Sequence, residues 1–266
     1  MLTEVTSRGF SNGVVYMLRT AKGYPIEVTD TYLPYYTKDC INSRTNKLIN
    51  GIIGNRHNRW MIGVSCMSGC PCKCKFCSTG KISKYHKLTA KEIFEQVKFI
   101  VETNKNLGWT PDKAQEFKIN YTRMGEPFLN IENVKKAIKM IDEYLPNIRV
   151  HHYISTIGIK DSDFSWIKDN ITLQVSLNSL DENRRQELTD TNNLMRLEEI
   201  GNIRTQSSLR TTLNLPLLDI SDFDINILKK YFHPDYFFIK LSPVNKNIIS
   251  DENNLGEGII KAVNVR

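Results

Sequence analysis

No run in this chain approaches the roughly 18 consecutive apolar residues that a membrane-spanning helix needs. The opening stretch, MLTEVTSRGF, has no apolar h-region, so no secretory signal is expected and the chain reads as cytoplasmic. Internal repeats and low-complexity blocks are missing as well. Cysteine is scarce outside one window: Cys40 stands alone upstream, and none follows Cys77. In a reducing compartment thiols stay free, so clustered cysteine reads as metal binding or catalysis. Carboxylates are outnumbered, 29 Asp and Glu against 36 Lys and Arg, and the formal net charge is +7. That balance favours a polyanionic partner or an anionic substrate.

What is present is organised as strand followed by helix. At 266 residues the chain suits one large domain that buries its core without disulfide staples. Residues 13–34 alternate like a β-hairpin around a Lys22-Gly23 turn. Residues 35–60 are polar, Asn-rich and basic, and read as a surface excursion. Strands are expected at 61–65, 117–122, 149–155, 171–177, 209–215 and 236–241. Between them, TAKEIFEQVKFIVE offers a capping box (Thr89, Glu92) and an apolar stripe of Ile93, Val97 and Ile100. NIENVKKAIKMIDEYL aligns Val134, Ala137, Ile138 and Ile141, and SDFDINILKKYF supplies a further helix. Six strands alternating with helices predict an α/β fold, a partial (β/α)6 TIM-like barrel with a short N-terminal β-hairpin extension. The expected division is 1–60 for the hairpin and excursion and 61–266 for the barrel. In such sheets chemistry sits at the carboxyl ends of strands.

The sulfur lies at that address. VSCMSGCPCKCKFCST places five of the six cysteines within residues 66–77, directly after the first barrel strand. Structural zinc wants four tetrahedral ligands, and no second Cys or His pair follows at finger-like spacing, although His151-His152 is a remote pair. A closed four-cysteine electron carrier is another alternative. The C-x3-C-x2-C triplet of Cys70, Cys74 and Cys77 suits a four-iron cluster with one iron left without a protein ligand. An open iron can chelate the amino and carboxylate groups of S-adenosylmethionine (SAM), whose reductive cleavage yields a 5′-deoxyadenosyl radical. Cys66 and Cys72 are extra thiols in the same window.

VSCMSGCPCKCKFCSTG resembles the cluster loop of the radical SAM methyl synthases that modify adenine in ribosomal RNA and some tRNA, the RlmN/Cfr family. RMGEPFLN resembles that family's Met-Gly-Glu-Pro segment, which implies SAM contacts from Gly125 and Glu126. ISTIG, VSLNS and LSPVN match its later segments and imply further contacts from Ser155, from Ser176, Leu177 and Asn178, and from Asn245. Asn178 stands where the family has His, and can still donate a hydrogen bond. The resemblance implies a [4Fe–4S] cluster and SAM as cofactors, with a low-potential donor such as flavodoxin or ferredoxin. It also exposes departures. The family's resolving cysteine, seven residues before the first cluster ligand, is Gly63 here, and no cysteine matches its methyl carrier. The family's small N-terminal RNA-binding domain finds no match, and its acid–base Glu aligns with Thr29. Glu27, Asp30 and Cys66 are weak catalytic candidates nearby.

The expected activity is therefore SAM cleavage and hydrogen abstraction without methyl transfer, most simply from a nucleobase in RNA or DNA. Arg44, Lys47, Arg56, His57 and Arg59, with Trp60 for stacking, and Lys73, Lys75, Lys81, Lys84 and Lys87 supply cations for phosphates. A small metabolite or peptide substrate is the alternative, and a metal-stabilised nucleic-acid-binding protein a third reading.

Overall fold

The computed structural model describes residues 2–33, 54–82, 84–216, 218–242 and 247–255. Cys40, Arg44, Lys47 and Asn245 lie outside that set. In chain order the strands and helices are β1 (Thr3–Phe10), β2 (Gly13–Arg19), β3 (Pro25–Tyr32), β4 (Arg59–Gly63), β5 (Met67–Ser68), β6 (His86–Lys87), α1 (Ala90–Lys105), β7 (Glu116–Tyr121), α2 (Ile131–Tyr144), β8 (Val150–Thr156), β9 (Ile171–Ser176), α3 (Glu182–Thr189), α4 (Leu197–Gly201), β10 (Thr211–Pro216), α5 (Ile225–Tyr231), β11 (Phe237–Ser242) and α6 (Ile248–Glu252). They form two compact units. Among the described residues no helix is long and apolar enough to cross a membrane.

The first unit comprises Met1–Ser68, Lys87–Met124 and Ile131–His152. Its strand order is β1-β2-β3-β4-β7-β8. The first four strands pair antiparallel, and β4 pairs parallel with β7. The expected hairpin is β2–β3, turning at Gly23, whose φ of 83° falls in the left-handed region that glycine adopts without steric cost. A strand missed by the sequence reading, β1, extends it into a three-stranded meander. Thr89 caps α1 in a full capping box, and Ile93, Val97 and Ile100 are buried. Val134, Ala137, Ile138 and Ile141 form the buried stripe of α2. The two helices pack on each other, and Ile62, Phe117 and Ile119 of the sheet are buried in the core of this unit.

The second unit comprises Gly69–His86, Gly125–Asn130 and Tyr153–Arg266. Its order is β8-β9-β10-β11, and β10 pairs parallel with both neighbours. Strand β8 passes from one unit into the other at His152–Tyr153. From β4 onward each strand of the large sheet neighbours the next in sequence, the singly wound order expected of a partial (β/α)6 fold; no closed barrel is detected among the described residues. One expected unit differs: the β8–β9 connection, 157–170, carries no helix. Between β9 and β10 stand α3 and α4, which the sequence reading did not place.

Candidate functional site

Residues 69–85 form the cysteine loop. Its two ends are drawn together where Leu88 N–H donates to Cys66 O at 3.2 Å. Gly69 starts it with φ of 73°, and a Cβ there would lie 2.8 Å from Lys84 O, so both torsion and space demand glycine. Within the second unit the loop is held by its own backbone. Lys75 N–H donates to Leu188 O at 2.9 Å, Asn247 Nδ2 to Phe76 O at 3.0 Å, and Asn253 Nδ2 to Lys75 O at 2.9 Å. Phe76, the aromatic before the last cysteine, packs on the buried cluster of Leu188, Leu218 and Leu255. The loop is thereby fixed by α3 and α6 without using its sulfurs.

Those sulfurs differ in environment. Cys70, Cys74 and Cys77 are half-buried residues, whereas Cys66 and Cys72 are buried. The thiol of Cys72 donates to the Cys70 sulfur. That bond lowers the Cys70 pKa and raises that of Cys72 well beyond the ordinary thiol range. Enclosure, then the neighbouring Cys77 and Cys70 sulfurs, pushes Cys74 up as well. Cationic iron would reverse that order for any sulfur it binds, since a coordinating thiol is deprotonated. Among the described residues no three His, Cys, Asp or Glu side chains converge tightly enough for a single metal ion. A four-iron cube takes one thiolate per iron, so its ligands stand further apart than those of one ion.

Glu126 lies in the same unit. It follows Gly125, whose φ of 97° makes the sharp turn after β7. The Glu126 side chain is buried, and its Oε1 accepts Phe128 N–H while Oε2 accepts Ile157 N–H, each at 3.0 Å. Burial pushes the carboxyl up to about 7, against the opposing hydrogen bonds from Ile157, the Thr156 hydroxyl and Phe128. A buried acid so poised is suited to meet a cation.

The ends of β8 and β9 bring the remaining candidates together. Ser155 Oγ lies 3.3 Å from Ser176 Oγ and accepts from Gln174 Nε2 at 2.8 Å. Leu177 is buried and donates its N–H to Asn214 O. Asn178 is buried with φ of 65°, and neither its Nδ2 nor its Oδ1 has a partner among the described residues. An unsatisfied buried amide costs of order 1–3 kcal/mol per group, so this one calls for a ligand. A fully buried Arg185, which the sequence reading passed over, ties this region down. It donates to Leu177 O, Ile157 O and Met195 O.

The acid–base candidates belong to the first unit. Asp30 is buried and accepts from Arg56 (2.6 Å), Trp60 Nε1 (2.7 Å) and Asn104 Nδ2 (2.8 Å). Glu27 accepts from Arg123 Nε at 2.7 Å. Cys66 is buried beside Tyr121. Trp60, expected to be free for stacking, is instead fully buried, because its indole N–H satisfies Asp30. Of the expected cations, Arg56 is spent on Asp30, Arg59 on Glu116, Lys75 on Glu187 and Lys81 on Glu252.

Gly63 lies on β4 opposite Thr29 of β3. A Cβ at Gly63 would overlap Thr29 Oγ1 and approach Arg123 Cδ to 2.9 Å. The position seven residues before Cys70 can take a side chain only if Thr29 and Arg123 shift.

Comparison with known proteins places these features in a family. The model described as the Radical SAM superfamily matches residues 64–230, well over half of the chain. A probable dual-specificity RNA methyltransferase RlmN from Pseudothermotoga lettingae is 31% identical over 201 residues, covering 71% of this chain and 56% of that protein. The corresponding protein of Thermotoga maritima is 29% identical, covering 70% and 55%, and that of Campylobacter hominis 34% identical, covering 54% and 40%. The chain spans about half the length of the curated relatives it matches. A crystal structure of a radical SAM methyltransferase from Sphaerobacter thermophilus aligns with a TM-score of 0.64 at 21% identity, covering 92% of this chain and 67% of that one. That likeness concerns the fold.

Proposed function

The chain belongs to the radical SAM superfamily of enzymes, whose cofactors are a [4Fe–4S] cluster and SAM, and from that premise we propose that it abstracts hydrogen from a nucleobase in RNA or DNA without methylating it. In this reading Cys70, Cys74 and Cys77 are the cluster's ligands. When bound and reduced by a low-potential donor such as flavodoxin or ferredoxin, the cluster supplies the electron that breaks the sulfonium C–S bond of SAM to give a 5′-deoxyadenosyl radical.

The chain's own residues bind and orient. Gly125 turns the backbone so that Glu126 faces the methionyl ammonium of SAM. The Phe128 and Ile157 amides fix the carboxylate beforehand, and an ammonium alongside restores its charged form. Asn178 offers one donor and one acceptor to the ribose or methionyl groups, and Ser155 and Ser176 add hydroxyls beside it. Leu177 supplies an apolar wall, and Asn245 retains its expected role near the adenine or ribose.

The observation that carries the non-methylating reading is Gly63. The methyl synthases this chain resembles need a thiol there to resolve the RNA adduct; glycine has none, and a Cβ at that position would have to push aside Thr29 Oγ1 and Arg123 Cδ. Nucleic acid as the substrate class is supported by the RNA methyltransferases among the relatives and by the net charge of +7. Anaerobically reconstituted full chain, given SAM and dithionite, is expected to release 5′-deoxyadenosine, and deuterium from perdeuterated nucleic acid is expected to appear in it. Methylated adenine in an RNA substrate would overturn the non-methylating half. 5′-Deoxyadenosine that never acquires label from RNA or DNA would overturn the nucleobase half.

A further inference from the structure

Strand β11 is the last strand of its sheet and pairs only with β10 among the described residues. Residues two apart on a strand share a face, so Tyr236, just ahead of β11, and Phe238 and Lys240 within it project together. Both rings are half exposed, 48% for Tyr236 and 49% for Phe238, and Lys240 is exposed. Two arginines cover these rings. The Arg204 guanidinium carbon lies 4.0 Å from the Tyr236 centroid, and that of Arg210 lies 5.6 Å from the Phe238 centroid.

Among the described residues neither arginine is spent on a carboxylate. Arg204 donates to the carbonyls of Gly201 and Ile203, and Arg210 to that of Pro234. Lys240 has no ion pair among the described residues. The nearest acid in sequence, Asp235, lies 3.6 Å from the His233 ring and is largely in solvent. The stripe is thus three unneutralised cations interleaved with two solvent-facing rings. Its register places it further: Phe238 lies beside Thr212 and Lys240 beside Asn214, which in turn lies beside Ser176 of β9. Partners in a sheet share a face, so the stripe lies on the face that carries Ser176, one of the SAM-pocket residues proposed above.

We infer that this open face of β11 is a docking surface for single-stranded nucleic acid: bases stack on Tyr236, Phe238 and the Arg204 and Arg210 planes, and phosphates meet Arg204, Arg210 and Lys240. Rings and guanidinium planes accept any base, and cations beside them track the backbone, which is how strands are held without sequence preference. From Phe238 to Ser242 the strand rises ~13 Å toward its carboxyl end. A nucleic acid laid along it is led toward the end of β9 that bears Ser176. This inference rests on the nucleobase reading and adds where the strand is held.

The test is fluorescence anisotropy of the full chain with a fluorescein-labelled single-stranded RNA dodecamer across a salt series. Phe238→Ala is expected to weaken binding about 5- to 100-fold, the range for one lost stacking partner. The triple variant Arg204→Gln, Arg210→Gln, Lys240→Gln is expected to flatten the log K against log salt slope by about 2, at about 0.7 per phosphate contact on a single strand. SAM cleavage by dithionite alone is expected to stay unchanged in both. Wild-type binding that neither variant alters would overturn this surface while leaving the nucleobase reading standing. A chain that binds neither the RNA dodecamer nor its single-stranded DNA counterpart at any salt would overturn both. A changed oligomeric state in Phe238→Ala with unchanged RNA affinity would assign the face to a second copy and overturn the docking role.

Discussion

Cys72 gives its proton to the hydrogen bond with Cys70, so within one short loop a sulfur disposed to ionise sits beside one disposed to stay protonated. That contrast does not by itself pick the ligands, because Cys74 is pushed up as well, and iron would ionise whichever thiols it binds. Replacing Cys70, Cys74 or Cys77 by Ala is expected to abolish the brown cluster absorbance and SAM cleavage after anaerobic reconstitution. Cys72→Ala is expected to retain both, and full cluster loading in Cys74→Ala would refute the ligand assignment. Two further residues separate binding from folding. Glu126→Gln removes a charge-assisted hydrogen bond, worth about 1.5–3 kcal/mol, so SAM affinity is expected to fall roughly 10- to 100-fold with iron content unchanged. Asn178→Gly relieves a left-handed side chain and an orphaned amide together. Its SAM-free melting temperature is expected to match or exceed wild type while the stabilisation conferred by SAM shrinks. A lowered SAM-free melting temperature with normal SAM affinity would make Asn178 structural.

Individual elements were readable where the sequence carries a period. Strand β9, expected at 171–177, is Ile171–Ser176, and α1 begins at its capping box as read. The misses share a cause. Strand β1, TEVTSRGF, is exposed along its whole length, so it has no apolar face to show and is held by its ladder with β2. Helix α3, ENRRQELT, buries an arginine where a periodic reading looks for a leucine; its inner face is Arg185, Leu188 and Thr189. The site divides the same way. The cysteine triplet and Glu126 are local motifs and are visible in a line of text. Asn178's missing partners and Arg185's three carbonyls arise only when distant strand ends meet. The same holds for α6, whose short span gave no periodic signal. Asn247 caps it, accepting from Ile249 and Ser250 N–H at 2.9 and 3.1 Å, and also clamps Phe76 of the cysteine loop. Asn247→Ala is therefore expected to cost about 1–2 kcal/mol in chemical denaturation. Iron retained after desalting is expected to drop as well, which loss of a helix cap alone would not produce.

For the molecule as a whole, the decisive question is whether a methyl synthase's machinery could be restored to this chain by one residue. Gly63 lies at a paired position of the antiparallel β3–β4 ladder, so its missing side chain is a property of how those strands sit, with Thr29 directly across. On its other side Arg123 is anchored by its ion pair with Glu27. Inserting a side chain must shift both. Gly63→Cys is expected to lose about 1–3 kcal/mol of stability, the usual range for overpacking a filled site. Adding Thr29→Ala removes the atom the new Cβ meets first, and the double variant is expected to recover at least ~0.5 kcal/mol beyond additivity, as contacting pairs do. Neither variant is expected to methylate adenine, because Arg123 still crowds the new side chain and the methyl-carrier cysteine that the family resemblance calls for finds no match in the sequence. Denaturation curves and mass spectrometry of treated RNA decide it together. A Gly63→Cys protein as stable as wild type would show that the ladder has room after all, and methylated adenine from it would overturn the non-methylating reading.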